Sequence, residues 1–308
     1  MKKFRQFFIP LLLLQSIVYC SDIKVYFSPC QKVDRLIINR LLQAKKSVYI
    51  ATYTFGWSDG FETLEKLSRK GIDVKILLQF PQENVSIKIT QTKIKQWDKK
   101  SCHLHAKFIV IDERYVFVGS ANFTESSLMW DSNNIVFFND GNIGKFFAKN
   151  FLLLWSGSMD CNTYKDQVVE IYFSPTTDCA QIIRNEIGKA EKNIKFAMFS
   201  FTSDSIAEEI CKVGLKGVQI YGIFENSQNP ASNEYEFLKR FHFFHIKKDC
   251  FVENIHDKFT IIDEKIVLTG SFNYTESARK NIETLIIIRK PDVATFYSKR
   301  WKYLWLWY

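Results

Sequence analysis

The chain is poor in histidine, with five in 308 residues, and in the mixtures of histidine, cysteine and carboxylate from which metal sites are built. Cys102-His103-Leu104-His105 has ligand-like spacing, but no second cluster of similar density accompanies it. A zinc site is therefore set aside, and no metal or other cofactor is expected. Long apolar runs are scarce too. FFIPLLLLQSIVY, close behind Met1-Lys2-Lys3-Phe4-Arg5, is too short for a comfortable membrane span. Acidic residues are outnumbered 33 to 42, and the net charge of +9 points to polyanionic partners, either nucleic acid or an acidic lipid surface.

What the chain does contain, it contains twice. His105-Ala-Lys107-Phe-Ile-Val-Ile-Asp112 is followed by Gly119-Ser120-Ala-Asn122. His256-Asp-Lys258-Phe-Thr-Ile-Ile-Asp263 is followed, at the same spacings, by Gly270-Ser271-Phe-Asn273. The repeat extends outward. Tyr26-Phe-Ser-Pro29 returns as Tyr172-Phe-Ser-Pro175, and VYIATYTF (Val48 to Phe55) as IKFAMFSF (Ile194 to Phe201), both at an offset of 146. The offset is 151 between His105 and His256, so the second half has gained about five residues on the way. Self-similarity on this scale means a duplicated domain, because a solenoid repeat would be much shorter.

Each half alternates strand and helix signals. VYIATYTF is β-branched and aromatic, FETLEKLSRKG is a helix ending at glycine, and AKFIVID and YVFVGS read as paired strands around a Glu113-Arg114 turn. The expected fold is α/β, with two similar halves, each a mixed sheet flanked by helices, packed with pseudo-two-fold symmetry. The boundaries read as 1–21 for a leader, 22–160 for the first domain and 161–308 for the second. The leader's charged start and apolar centre imply export, to a periplasmic or extracellular setting, with an uncleaved anchor as the alternative. Tyr19 stands where a lipoprotein signal would need a small residue before Cys20. Six further cysteines (Cys30, Cys102, Cys161, Cys179, Cys211, Cys250) permit disulfides in an exported protein, with fifteen possible connectivities.

The repeated residues suit phosphodiester chemistry. A neutral imidazole can attack phosphorus and split one hard displacement into two easier ones. In-line geometry then requires a proton donor on the far side of the phosphate, which the other half's histidine supplies, first as acid and then as base for water. Lys107, Lys258, Asn122 and Asn273 can hold the nonbridging oxygens as charge grows on them. Gly119 and Gly270, next to Ser120 and Ser271, let the backbone come close. Lys88, Lys93, Lys95, Lys99 and Lys100 precede the first motif, and Lys239, Arg240, Lys247 and Lys248 the second. From these, Lys93, Lys95, Lys99, Lys239, Arg240 and Lys247 are the candidate substrate-binding residues.

With HxK(x)4D and GSxN present twice, the chain resembles the phospholipase D superfamily over nearly everything after the leader. The compact halves, the YFSP opening and KFTIIDEKIVLTGSFNYTESA look most like bacterial Nuc-type endonucleases and mitochondrial cardiolipin hydrolase (Zucchini), single-motif chains that dimerise; here such a dimer looks fused. The resemblance points to His105 as nucleophile and His256 as acid, and gives Asp112 and Asp263 a structural role. It also implies an acidic residue near ten positions after the GSxN asparagine, orienting a catalytic histidine across the interface. The second half has Glu283, which would serve His105. In the first half the alignment of NIVFF with ETLII puts Asn134 in that place.

The leading expectation is a metal-independent nuclease acting on DNA or RNA, monomeric because both halves of the site share one chain. The alternative is a phospholipase D or cardiolipin hydrolase at a phospholipid membrane, supported by the aromatic C-terminus. Trp301, Leu304, Trp305 and Tyr308 fall at helical spacing, which favours a packed closing helix over an interfacial segment.

Overall fold

The structure is a computed structural model that describes residues 22–81, 92–228, 234–250 and 254–307. The leader, Lys88 and Tyr308 lie outside the described residues.

The first half runs β1 (Ile23–Ser28), α1 (Val33–Leu41), β2 (Ser47–Gly56), α2 (Ser58–Arg69), β3 (Asp73–Pro81), β4 (Lys93–Gln96), β5 (Phe108–Ile111), β6 (Tyr115–Gly119), β7 (Phe123–Thr124), α3 (Glu125–Met129), β8 (Asn133–Asn139) and α4 (Gly141–Trp155). The second runs β9 (Tyr164–Lys165), β10 (Val169–Ser174), α5 (Cys179–Ile187), β11 (Asn193–Met198), α6 (Asp204–Leu215), β12 (Gln219–Phe224), α7 (Tyr235–Leu238), β13 (His245–Lys248), β14 (Lys258–Ile262), β15 (Ile266–Gly270), β16 (Glu283–Ile288) and α8 (Pro291–Trp307). The first sheet is ordered β1-β8-β6-β5-β2-β3-β4, with β7 paired to β2. The second is ordered β13-β12-β11-β14-β15-β16-β10-β9. Both are mixed: β2 with β3 and β11 with β12 are parallel, whereas the motif strands pair antiparallel.

Central strands such as Phe-Ile-Val-Ile in β5 are buried at every position, as strands covered on both faces must be. One covering layer is amphipathic helix; α1, for example, buries Val33, Ile37, Ile38 and Leu41 along a single stripe. Each half has its own core, and a third lies between them. Ile50 and Phe117 lie in a cluster of the first half, and Phe196 and Leu268 in one of the second. Phe108, Phe151, Phe173, Phe259 and Tyr297 belong to a cluster that both halves share. The halves exchange equivalent contacts. Phe27 of β1 packs on Phe296 and Tyr297 of α8, with ring centroids 5.5 and 5.3 Å apart. Its counterpart Phe173 of β10 packs on Phe146 and Phe147 of α4, at 6.1 and 6.0 Å. Such reciprocity is what an isologous interface produces.

The C-terminal aromatic segment is the packed helix α8, with Trp301 and Leu304 buried and Leu306 and Trp307 exposed. No disulfide joins the described cysteines. Within α8, Arg300 is wholly buried and donates from Nη2 to Ser28 O (2.9 Å) and Ser132 Oγ (2.7 Å). Asp257, also buried, takes the Ser132 hydroxyl and lies 3.8 Å from the guanidinium. Removing one partner of such a pair strands a charge in the interior. Arg300→Met is therefore expected to lower the unfolding free energy by about 3–5 kcal/mol in urea denaturation, and adding Asp257→Asn should restore part of the loss. Equal stability of the single variant and the wild type would refute the linkage.

Candidate active site

Each motif histidine is anchored by the other half of the chain. Leu104 and Ile282 form one isolated bridge, Ser132 and Ile255 its pseudo-symmetric equivalent. The His105 amide donates to Ile282 O (2.9 Å), and the His256 amide to Ser132 O (2.8 Å). The expected strand AKFIVID opens at Ala106, whereas β5 opens at Phe108; His105 and Lys107 lie in the segment just ahead of it, where the backbone pairs with the other half. The YFSP repeat braces the same crossing. Ser28 Oγ donates to Ser127 O (3.1 Å) and Asp131 O (2.7 Å), and Ser174 Oγ to Ala278 O (3.0 Å) and Asn281 O (2.8 Å).

The partners of the two imidazoles differ. His105 Nδ1 lies 2.7 Å from Glu283 Oε1, and Glu283, 1% exposed, takes the Ser271 hydroxyl on its other oxygen at 2.5 Å. His256 Nδ1 lies 2.9 Å from Asn133 Oδ1. The residue equivalent to Glu283 is thus Asn133, and the alignment that chose Asn134 is off by one. Strand register shows why: Ser28 faces Asn133 in β1–β8, as Ser174 faces Glu283 in β10–β16. Asn134 instead bonds Thr269 Oγ1 (2.5 Å) and accepts the Lys258 amide (3.1 Å), tying the halves together. Asn133 Nδ2 donates to Ser127 O (2.9 Å) and Ser120 Oγ donates to Asn133 Oδ1 (2.8 Å), so the oxygen must face the imidazole. Both histidines therefore carry hydrogen on Nδ1 and present the Nε2 lone pair.

Lys107 Nζ donates to His105 O (2.5 Å), and Lys258 Nζ to His256 O (3.0 Å), lying 3.1 Å from His256 Nε2. Burial lowers the pKa of His105 to about 4, partly offset by Glu283, so its imidazole is neutral at physiological pH. Burial and then Lys258 push His256 well below the usual histidine range. Burial brings Lys107 to about 7, and burial together with the Lys107 charge lowers Lys258 strongly. Four cation-forming groups share a largely buried site, and an anion entering among them would favour their charged forms. His105 keeps 17% of its side chain exposed, so the site is reachable. Asn122 Oδ1 and Asn273 Oδ1 are buried without a hydrogen-bond partner, exceptions of the kind that gather at functional sites.

The remaining motif residues build the frame. Asp112 and Glu113 have φ of 54° and 52°, so the turn centres there and not on Glu113-Arg114. Asp112 accepts the amides of Lys45, Lys46 and Ser47; Asp263 does the same for Glu191, Lys192 and Asn193. Gly119 lies so near β8 that a Cβ would meet Asn134 O at 2.1 Å, and one on Gly270 would meet Thr284 O at 2.2 Å. The approach that these glycines allow is to the neighbouring strand.

The candidate binding residues occupy edge strands and loops, and several have structural partners. Lys95 Nζ donates to Trp155 O and Lys247 Nζ to Trp305 O, each at 2.7 Å, placing a cation in the last turn of α4 and α8. Lys93 pairs with Asp73 (3.3 Å), Lys99 covers the Trp97 ring, Lys239 covers the Tyr235 ring, and Arg240 is exposed. Two site residues escaped the sequence reading. The Tyr53 ring packs on His105 (5.1 Å) and the Phe199 ring on His256 (4.6 Å), and their place in the repeated VYIATYTF strand was the signal for both.

The family described as "Cardiolipin synthase, PLD-like domain" matches residues 37–155 and again 183–305. The phospholipase D of Rickettsia conorii is 30% identical over 138 residues, covering 43% of this chain and 67% of that protein. The mitochondrial cardiolipin hydrolase of Chlamydomonas reinhardtii is 27% identical over 120 residues, 39% of this chain and 54% of that one. Among solved structures, the phosphatidylserine synthase of Haemophilus influenzae shares the fold with a TM-score of 0.71 at 14% identity, across 91% of this chain and 85% of its own. With the PLD-like domain matched in both halves, the chain belongs to the phospholipase D superfamily.

Proposed function

We propose that this chain hydrolyses nucleic-acid phosphodiesters without a metal, through a phosphohistidine on His105. The observation that carries the chemistry is the unequal support of the two histidines: Glu283 faces His105 Nδ1 at 2.7 Å, and only an amide faces His256. A carboxylate beside Nδ1 makes Nε2 the better nucleophile and stabilises the positive charge that forms as it attacks. The new bond joins His105 Nε2 to phosphorus while the bond to the leaving oxygen breaks. That oxygen takes a proton from His256 Nε2, whose protonated form the entering phosphate favours. Water then attacks phosphorus, gives its proton to His256, and displaces His105. Lys107 and Lys258 supply the cationic charge around the nonbridging oxygens that a metal ion would otherwise provide. The net charge of +9 supports a polyanionic substrate. The reading includes action as a monomer and export, on the strength of the leader.

A lipid substrate is the second reading. Met129 and Trp130, 40% and 62% exposed, lie just ahead of the Ser132 segment that anchors His256. The relatives named phospholipase D and cardiolipin hydrolase favour it too.

Purified protein in EDTA, offered single-stranded DNA, duplex DNA, RNA and cardiolipin vesicles side by side, tests both readings. Nucleic-acid cleavage is expected to persist in EDTA and to weaken steeply with salt, with about one log-log unit of slope per phosphate neutralised. Activity that vanishes in EDTA and returns with magnesium would overturn the metal-independent step. Lipid cleavage with intact nucleic acid would install the second reading.

A further inference from the structure

The pseudo-two-fold symmetry fails beside His105. Tyr53, which touches that histidine, also packs on Phe80 (5.3 Å, 88°) and lies nearly parallel to His103 (6.2 Å, 22°). Phe80 and His103 complete the group at 6.2 Å. Exposure rises along it, from His105 at 17% to Phe80 at 42%, so the rings lead from the reacting centre to solvent. The equivalent positions of the second half are Phe199, Asn226 and Asn254, which offer one ring and two amides. Cations flank the aromatic side. Lys99 and Lys100 lie in the segment that leads into His103. Lys280 is exposed and precedes Asn281, whose Oδ1 accepts the His103 amide at 3.1 Å.

We propose that Tyr53, Phe80 and His103 form a stacking shelf that seats a nucleobase next to the scissile phosphate on the His105 side. The inference rests on the nucleic-acid reading and adds an orientation to it. The histidine, lysine and asparagine pairs recognise a phosphate in either direction, whereas a one-sided shelf admits the strand in one. Ring faces suit any base, so single-stranded substrate of mixed sequence is preferred, with the lysines holding the neighbouring phosphates. A lipid headgroup offers no planar π-face to this shelf.

The test compares a single-stranded oligonucleotide with an abasic strand of the same length, by fluorescence anisotropy on the full chain carrying His105→Asn to prevent turnover. The base-bearing strand is expected to bind more tightly. Phe80→Ala and His103→Ala should each weaken it by roughly 5- to 100-fold, as for loss of one base–aromatic stack, and leave the abasic strand nearly unchanged. Equal binding of the two strands before substitution, or equal losses on both after it, overturns the shelf. Protein that cleaves oligonucleotides but ignores the bases loses the shelf and keeps the nuclease reading. Base-dependent binding through Phe80, in protein that cleaves only cardiolipin, keeps the shelf and removes the nuclease reading; no binding of either strand removes both.

Discussion

His105→Ala is expected to abolish turnover, by roughly 10⁴-fold or more as for loss of a catalytic nucleophile, and to leave no phosphorus on the protein after an alkaline detergent quench, in which a phosphohistidine survives. His256→Ala should differ in kind. With a substrate whose leaving group needs no proton, such as a p-nitrophenyl ester, the first displacement still proceeds from His105 while the base that activates water is gone. Covalent phosphoenzyme should then accumulate in a burst and decay slowly. The assignment follows from the lone pairs. Glu283 fixes the His105 hydrogen on Nδ1, and burial keeps the ring neutral above about pH 4, so Nε2 is ready to attack at any physiological pH. His256 shares the tautomer but has an amide beside Nδ1 and, among the described residues, no carboxylate there, and so suits the proton-transfer role that substrate charge switches on. A burst seen in His105→Ala and missing from His256→Ala would reverse the two roles.

The duplication made the histidine, lysine and asparagine positions legible, because spacing survives in sequence without knowledge of the fold. The crossing of Glu283 to the other half's histidine was legible only through the family resemblance, since no local pattern carries a contact between Glu283 and His105, 178 residues apart. Asn133 and Asn134 show where such reading fails. Adjacent strand residues point to opposite faces, so a slip of one exchanged the imidazole partner for the interface residue. Chemical type gave no help, as both are asparagine. The duty of Ser28 and Ser174 was invisible for a related reason: the repeat marked YFSP as important, but the carbonyls that those hydroxyls hold lie about 100 residues away. Lysine placement hid a second, structural duty. Lys95 and Lys247 recur at equivalent points and look like a binding signal, yet in the structure each meets the carbonyl end of a closing helix.

Glu283→Gln should cost roughly 10²- to 10⁴-fold in kcat with the fold intact, the range seen when a histidine's carboxylate partner becomes an amide elsewhere. The isostere keeps shape and removes charge, but its larger effect is on hydrogen placement. Ser271 donates to the oxygen that faces away from His105, so a glutamine there keeps its own oxygen toward Ser271 and turns its amide hydrogens to Nδ1. That moves the imidazole hydrogen to Nε2 and removes the attacking lone pair. Asn133 escapes this fate because its amide hydrogens are committed to Ser127 O, which leaves the oxygen for His256. Asn133→Asp is the complementary experiment. Activity should rise as His105 loses its proton, near pH 4, and fall as His256 loses its proton in the substrate complex. A carboxylate beside Nδ1 stabilises the imidazolium, and each 1.4 kcal/mol of stabilisation moves the alkaline limb up by about one pH unit. The acidic limb belongs to His105, supported by Glu283, and should stay in place. An alkaline limb that does not move in folded Asn133→Asp protein would show that His256 is not the proton carrier.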